Sequence, residues 1–159
     1  GAKFTRLYFK DCYIDGTTDF IFGPSTALFE DCIIHSKRNS YVTAASTPKE
    51  AKYGYVFKHC KLTAEPGVDK VYLGRPWRPY AYTLFIECEL GKHIVLAGWH
   101  NWGKQSNEET ARYMEYKNTG EGANASERVA WSKQLTKKEA EAVTVDAIFR
   151  TQSDWNPID

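Results

Sequence analysis

A six-residue phrase with apolar residues at fixed places recurs four times in the first ninety positions. It reads Phe9-Lys-Asp-Cys12-Tyr-Ile14, Phe29-Glu-Asp-Cys32-Ile-Ile34, Phe57-Lys-His-Cys60-Lys-Leu62 and Phe85-Ile-Glu-Cys88-Glu-Leu90. In each phrase the Cys and the aliphatic residue are two apart, as on one face of a strand, while the residue between them (Tyr13, Ile33, Lys61 or Glu89) varies freely. The pattern predicts short strands with Cys and Ile or Leu pointing inward. Phe precedes Cys by three rather than two, which breaks the alternation and predicts a bend or bulge between them. The Cys-to-Cys intervals of 20, 28 and 28 residues are too long for a hairpin meander and match one coil of a β-solenoid. Stacked coils would set the Phe, Cys and aliphatic side chains in inward ladders. The extra residues of the longer coils then fall in loops on one side, where solenoids carry their binding faces.

The phrase stops after Leu90. Gly98-Trp99-His100-Asn101-Trp102 opens an aromatic stretch, Arg112-Tyr-Met-Glu-Tyr116 reads as a strand, and a polar, Gly-containing turn segment runs from Asn118 to Ser126. Thr136-Lys-Lys-Glu139 has capping-box spacing, and Ala-Glu-Ala after it supports a short helix near 137–143. Trp131 and Trp155 are expected to be buried, with the tail through Asp154-Trp155-Asn156-Pro157 packed back on the solenoid. The expected organisation is one domain over 1–159, with coils over 1–97 and a terminal cap and tail over 98–159.

Composition adds limits. The 42% hydrophobic content suffices for one core, and 21 basic against 20 acidic residues give no reason to expect nucleic acid or an anionic membrane as partner. No apolar run approaches the roughly 20 residues needed to span a bilayer. Residues Gly1 to Arg6 do not form a signal peptide, and without an initiating Met the natural N-terminus is expected upstream. Every Cys occupies an apolar repeat position without Cys-x-x-Cys spacing, which favours core thiols over disulfides and offers no metal site. His59 shares its repeat slot with Asp11, Asp31 and Glu87, as a surface residue would. His35, His93 and His100 show no nucleophile or metal-ligand spacing.

Two segments are not needed by the repeat: Gly16-Thr-Thr-Asp-Phe-Ile-Phe-Gly23 and Tyr72-Leu-Gly-Arg-Pro-Trp77. In the first, Asp19 stands in an apolar aromatic run that would strip water from its carboxylate, so it needs a partner. In the second, Gly and Pro fix the backbone around Arg75, the natural partner, and Trp77 would project from the same side in an extended chain. An Asp and an Arg on a solenoid can equally form a plain ion pair at a turn, and a lone Trp can equally be core.

The two segments, in this order, resemble the signatures of pectin methylesterases. Tyr41-Val-Thr-Ala44, Gly98-Trp99 with Trp102, and Glu115-Tyr-Lys-Asn-Thr-Gly-x-Gly-Ala123 match as well, so the resemblance runs along most of the chain. It implies a right-handed parallel β-helix, an all-β fold, with a short C-terminal helix and capping tail. It implies hydrolysis of methyl esters of polygalacturonate without metal or organic cofactor, in a secreted, extracellular or periplasmic monomer. Asp19 matches the family nucleophile, which attacks the ester carbonyl to give an acyl-enzyme anhydride, and Arg75 matches the arginine that holds it by charge-assisted hydrogen bonds. Trp77 matches a platform for a sugar ring. Thr18 and Phe22 fall where the family lines neighbouring subsites, and Trp99 and Trp102 are expected in the cleft wall.

The chain departs from that pattern in two places. A Gln-Asp-containing segment, which supplies the general acid and base, is expected just before the first phrase here, and these residues begin after it. The phrase after Trp77, Arg-Pro-Tyr80-Ala-Tyr82-Thr83, lacks a second Arg that many members carry. The missing acid makes these 159 residues on their own an expected inactive piece. Rival readings are a non-catalytic β-helix that binds polysaccharide through its Trp-rich face, and a lyase or glycosidase on the same scaffold. A lyase would want clustered carboxylates for a metal and a glycosidase would want paired acids, and the sequence around Arg75 offers neither. A serine esterase is excluded by the absence of a Gly-x-Ser-x-Gly elbow.

Overall fold

The structure is a computed structural model that describes residues 5–150; the tail around Trp155 lies outside them. The first coil is β1 (Arg6–Lys10), β2 (Tyr13–Gly16) and β3 (Ile21–Gly23). The second is β4 (Thr26–Glu30), β5 (Ile33–Ser36) and β6 (Ser40–Ala45), and the third is β7 (Tyr55–Lys58), β8 (Lys61–Ala64) and β9 (Val71–Gly74). The fourth has β10 (Tyr82–Ile86) and β11 (Glu89–Leu90), followed by helix α1 (Asn107–Thr110), β12 (Arg112–Tyr116), β13 (Lys133–Gln134), α2 (Lys137–Glu141) and α3 (Val145–Arg150). Every strand pairing is parallel. Three sheets result, β1-β4-β7-β10-β12-β13, β2-β5-β8-β11 and β3-β6-β9, and they form the faces of a parallel β-helix.

The repeated phrase sets the register. Phe9, Phe29, Phe57 and Phe85 occupy matching positions and stack with ring centroids 4.9, 4.5 and 4.4 Å apart and planes within 9° of parallel. Ile14, Ile34, Leu62 and Leu90 form a second inward ladder. The bend between Phe and Cys is a left-handed backbone residue, φ 56° at Asp11, 54° at Asp31, 54° at His59 and 50° at Glu87. In each bend the amide of that residue donates to a carbonyl of the next coil. All four cysteines are free thiols, Cys32, Cys60 and Cys88 fully buried.

The helix continues past the boundary expected at residue 97, because the phrase persists with its chemistry exchanged. Glu115 pairs with Phe85 in register, Lys117 takes the left-handed slot with φ 45°, and Asn118 takes the Cys slot, its Oδ1 accepting from the Cys88 amide at 2.9 Å. Glu115 ends the phenyl stack as a buried carboxylate. Arg128 meets it with Nε–Oε2 2.9 Å and Nη2–Oε1 3.2 Å, and also donates to the carbonyls of Val95, Leu96 and Gly122. Gly98 has φ 77° and passes so close that a Cβ there would lie 2.5 Å from Arg128 Cδ.

The expected helix near 137–143 is α2, and its capping box is formed: Thr136 accepts from the Glu139 amide at 3.2 Å and Glu139 from the Thr136 amide at 3.0 Å. The sequence pattern did not reveal α3. Its Ile148 and Phe149, with Val143, cover Leu28, Val56 and Leu84 on the outer face of the first sheet, which buries the central strands β4, β7 and β10 on both sides.

Candidate functional site

Asp19 lies in the turn between β2 and β3, where its amide donates to Tyr41 O at 2.9 Å. Its backbone is left-handed, φ 50°, a conformation that Asp tolerates better than most L-residues. Arg75 follows β9, with its amide on Thr43 O at 3.0 Å. Next to it Gly74 passes Thr43 so closely that a Cβ would lie 2.2 Å from Thr43 Oγ1. The two charged side chains are 56 residues apart in sequence and meet in a two-pronged contact, Nε–Oδ1 3.1 Å and Nη2–Oδ2 2.7 Å. Each is about 20% exposed, so the pair is open to a ligand yet largely shielded from water.

The guanidinium is also stacked. Its carbon is 3.9 Å from the Tyr41 ring centre and 3.7 Å from the Trp102 ring centre. A planar group has two faces and a ring at this distance fills one, so Arg75 lies between the two rings. The stack fixes the fork against the carboxylate. Thr18, Asp19, Phe22, Ala44, Trp77 and Trp102 line an open depression of about 380 Å³ above the pair. Phe22 is 64% and Trp77 42% exposed, and the two rings meet edge to face at 6.0 Å. Exposed aromatic faces beside a carboxylate and a guanidinium suit a polar ring such as a sugar. A larger depression of about 700 Å³, at the turn 65–68, shares none of these residues and has no aromatic wall.

Of the seven residues expected at the site, the structure brings together Asp19, Arg75, Trp77, Phe22, Thr18 and Trp102. Trp99 is not in the cleft wall. It is 1% exposed, faces the core and stacks on buried Tyr113 with centroids 4.3 Å apart. Gly74, against which its ring packs, leaves the space that draws it inward. Tyr41 and Ala44 line the site unforeseen by chemistry, although both belong to Tyr41-Val-Thr-Ala44. His100, dismissed for lack of ligand spacing, stands behind the stack: its ring centre is 5.4 Å from Tyr41 and 5.3 Å from Tyr72. Among the described residues no group of three His, Cys, Asp or Glu is placed to hold a metal ion.

A sequence model of the family described as pectinesterase matches residues 2–152. "Pectinesterase 31" of Arabidopsis thaliana is 45% identical over 136 residues, 85% of this chain and 43% of its own length. The structure of "Pectin methylesterase from Carrot" superposes with a TM-score of 0.86 at 33% identity, over 96% of this chain and 52% of that one. A "pectin methylesterase in complex with hexasaccharide VII" gives a TM-score of 0.82 at 32% identity, over 96% and 52%. The chain thus spans less than half the length of that curated relative and about half the length of these solved structures.

Proposed function

This chain belongs to the pectinesterase family, and from that premise we propose that it supplies the nucleophile, its arginine clamp and the sugar platform for hydrolysis of methyl esters on polygalacturonate. The observation that carries the reading is the two-pronged Asp19–Arg75 contact at the mouth of an aromatic depression. An Asp19 oxygen attacks the ester carbonyl, forming an anhydride and expelling methoxide. Methoxide must take a proton to leave as methanol, and water must then lose one as it opens the anhydride and regenerates the carboxylate. Arg75 holds Asp19 in line, and Trp77 with Phe22 orients the sugar.

Both proton transfers need a second acid-base group. Among the described residues Asp19 is the one carboxylate lining the depression. Asp15, four positions earlier on β2 and about 41% exposed, faces Lys37 instead. The described residues therefore supply half of the cycle, and a second carboxylate is required beside Asp19 to complete it. Secretion is proposed on the same family ground. The alternative, polysaccharide binding without chemistry, shares the aromatic face and differs in this one group.

Methanol release from methylated pectin tests the proposal. A polypeptide of these residues alone should run near background, an active longer form should not, and Asp19→Ala in that form should abolish release with the fold intact. Full activity of the short polypeptide, or of the Asp19→Ala variant, would refute the scheme.

A further inference from the structure

Trp102 is a non-glycine residue held at φ 62°, and something must hold it there, since the left-handed conformation crowds the Cβ of an L-residue against its own backbone. Two side chains just before it do so. His100 Nδ1 accepts from the Trp102 amide at 3.0 Å, and Asn101 Oδ1 accepts from the Gly103 amide at 2.8 Å. Asn101 is itself tied down, its Nδ2 donating to Glu108 and its carbonyl accepting from Asn107. The His100 amide bonds to Gly74 O at 3.0 Å, one residue from Arg75. His100 thus links the backbone carrying Arg75 to the indole covering it.

Resting on the functional reading above, the geometry points to His100 as a positioning residue for the Asp19–Arg75 site. With Nδ1 unprotonated it accepts the Trp102 amide and keeps the indole over Arg75. Protonated there, it becomes a donor, loses that bond and releases the indole, so sugar binding weakens on the acid side. The titratable or charged groups facing the ring are Tyr41 from β6, Tyr72 from β9, and Arg75 with its partner Asp19. Burial, and then Arg75, push the imidazole below its ordinary value, which keeps the accepting form down to lower pH.

The test uses the 159-residue chain with partly methylated oligogalacturonides, between pH 4.5 and 8, by calorimetry and by NMR of the His100 imidazole and Trp102 indole. Unsubstituted protein should lose affinity as pH falls, with the midpoint at which His100 titrates and the Trp102 indole shifts. His100→Ala removes the acceptor and should bind about 2- to 12-fold more weakly at neutral pH, the range for one net hydrogen bond. His100→Asn keeps an acceptor for the amide two residues on but does not titrate, so it should retain affinity and lose this pH step. His100→Ala binding like the unsubstituted protein, the step persisting in His100→Asn, or an indole resonance indifferent to His100 titration would each overturn the inference. Failure of the unsubstituted protein to bind at any pH would instead refute the pectin reading, and the resonance coupling would still decide the role of His100.

Discussion

Replacing Glu115 by Ala should destabilise the protein by about 3–5 kcal/mol, because it leaves the Arg128 guanidinium buried without its counter-charge. The side chains of both partners are only 2–3% exposed. The carboxylate accepts four hydrogen bonds, two from Arg128 and one each from Asn118 and Gln134. Arg128 keeps three carbonyl partners in the variant, at Val95, Leu96 and Gly122, which moderates the loss and sets the expectation near the lower end. Urea unfolding measures it. With a slope of about 2 kcal/mol/M, typical of a chain this size, the midpoint should fall by roughly 1.5–2.5 M at unchanged slope. Arg128→Ala should cost at least as much, since it orphans the carboxylate and the three carbonyls together. The double variant should be less damaged than the two losses added, by about 1–3 kcal/mol of coupling. A Glu115→Ala midpoint within about 0.5 M of the parent, or additive losses, would show that the pair is not the polar end of the phenyl stack inferred here.

Arg75→Lys keeps the charge but loses the fork and the stacking between Tyr41 and Trp102, so kcat/KM for methanol release in an active longer form should fall about 10- to 150-fold. A loss under threefold would mean that point charge alone suffices. Trp77→Ala should weaken oligogalacturonide binding at least about fivefold with little change in thermal stability, as expected for an exposed contact residue. Trp99→Ala should do the converse, costing about 3–5 kcal/mol of stability, because its indole is core; unchanged stability would return Trp99 to the cleft wall.

Apolar periodicity made four coils legible because the Phe, Cys and aliphatic positions keep their chemistry from one coil to the next. The fifth was missed for a physical reason. Glu115 and Asn118 occupy the same backbone slots as Phe85 and Cys88, but the apolar rule that finds the slot cannot see a carboxylate whose burial depends on Arg128, thirteen residues further on. Helix α3 was hidden similarly, since Leu28, Val56 and Leu84 reveal a covered outer face only once Ile148 and Phe149 lie on it. At the candidate site, motif spacing singled out Asp19, Arg75 and Trp77, and the fold brings them together. The spacing misplaced Trp99, because Gly98-Trp99 and Trp102 read alike until Gly74 opens a core space for one and a left-handed backbone turns the other outward.

Seven non-glycine residues have positive φ among those described. Five of them, Asp11, Asp31, His59, Glu87 and Lys117, form one column at the bend of successive coils, so this conformation is structural wherever it recurs in register. The other two, Asp19 and Trp102, stand outside the column, and both touch Arg75. Left-handed backbone without a repeat to explain it is thus concentrated around one guanidinium, the pattern expected where strain is kept at a functional site. Successive coils each contribute one element: Asp19 from the first, Tyr41 from the second, Arg75 from the third and Trp102 from the fourth. Amide bonds from Asp19 to Tyr41 O, Arg75 to Thr43 O and His100 to Gly74 O tie each to the coil beside it. The site is therefore a cross-section of the ladder rather than a loop placed upon it. Its geometry depends on coil register, which the stacked phenyl rings fix from inside, and a slip of one coil would separate Asp19 from Arg75 without changing either residue.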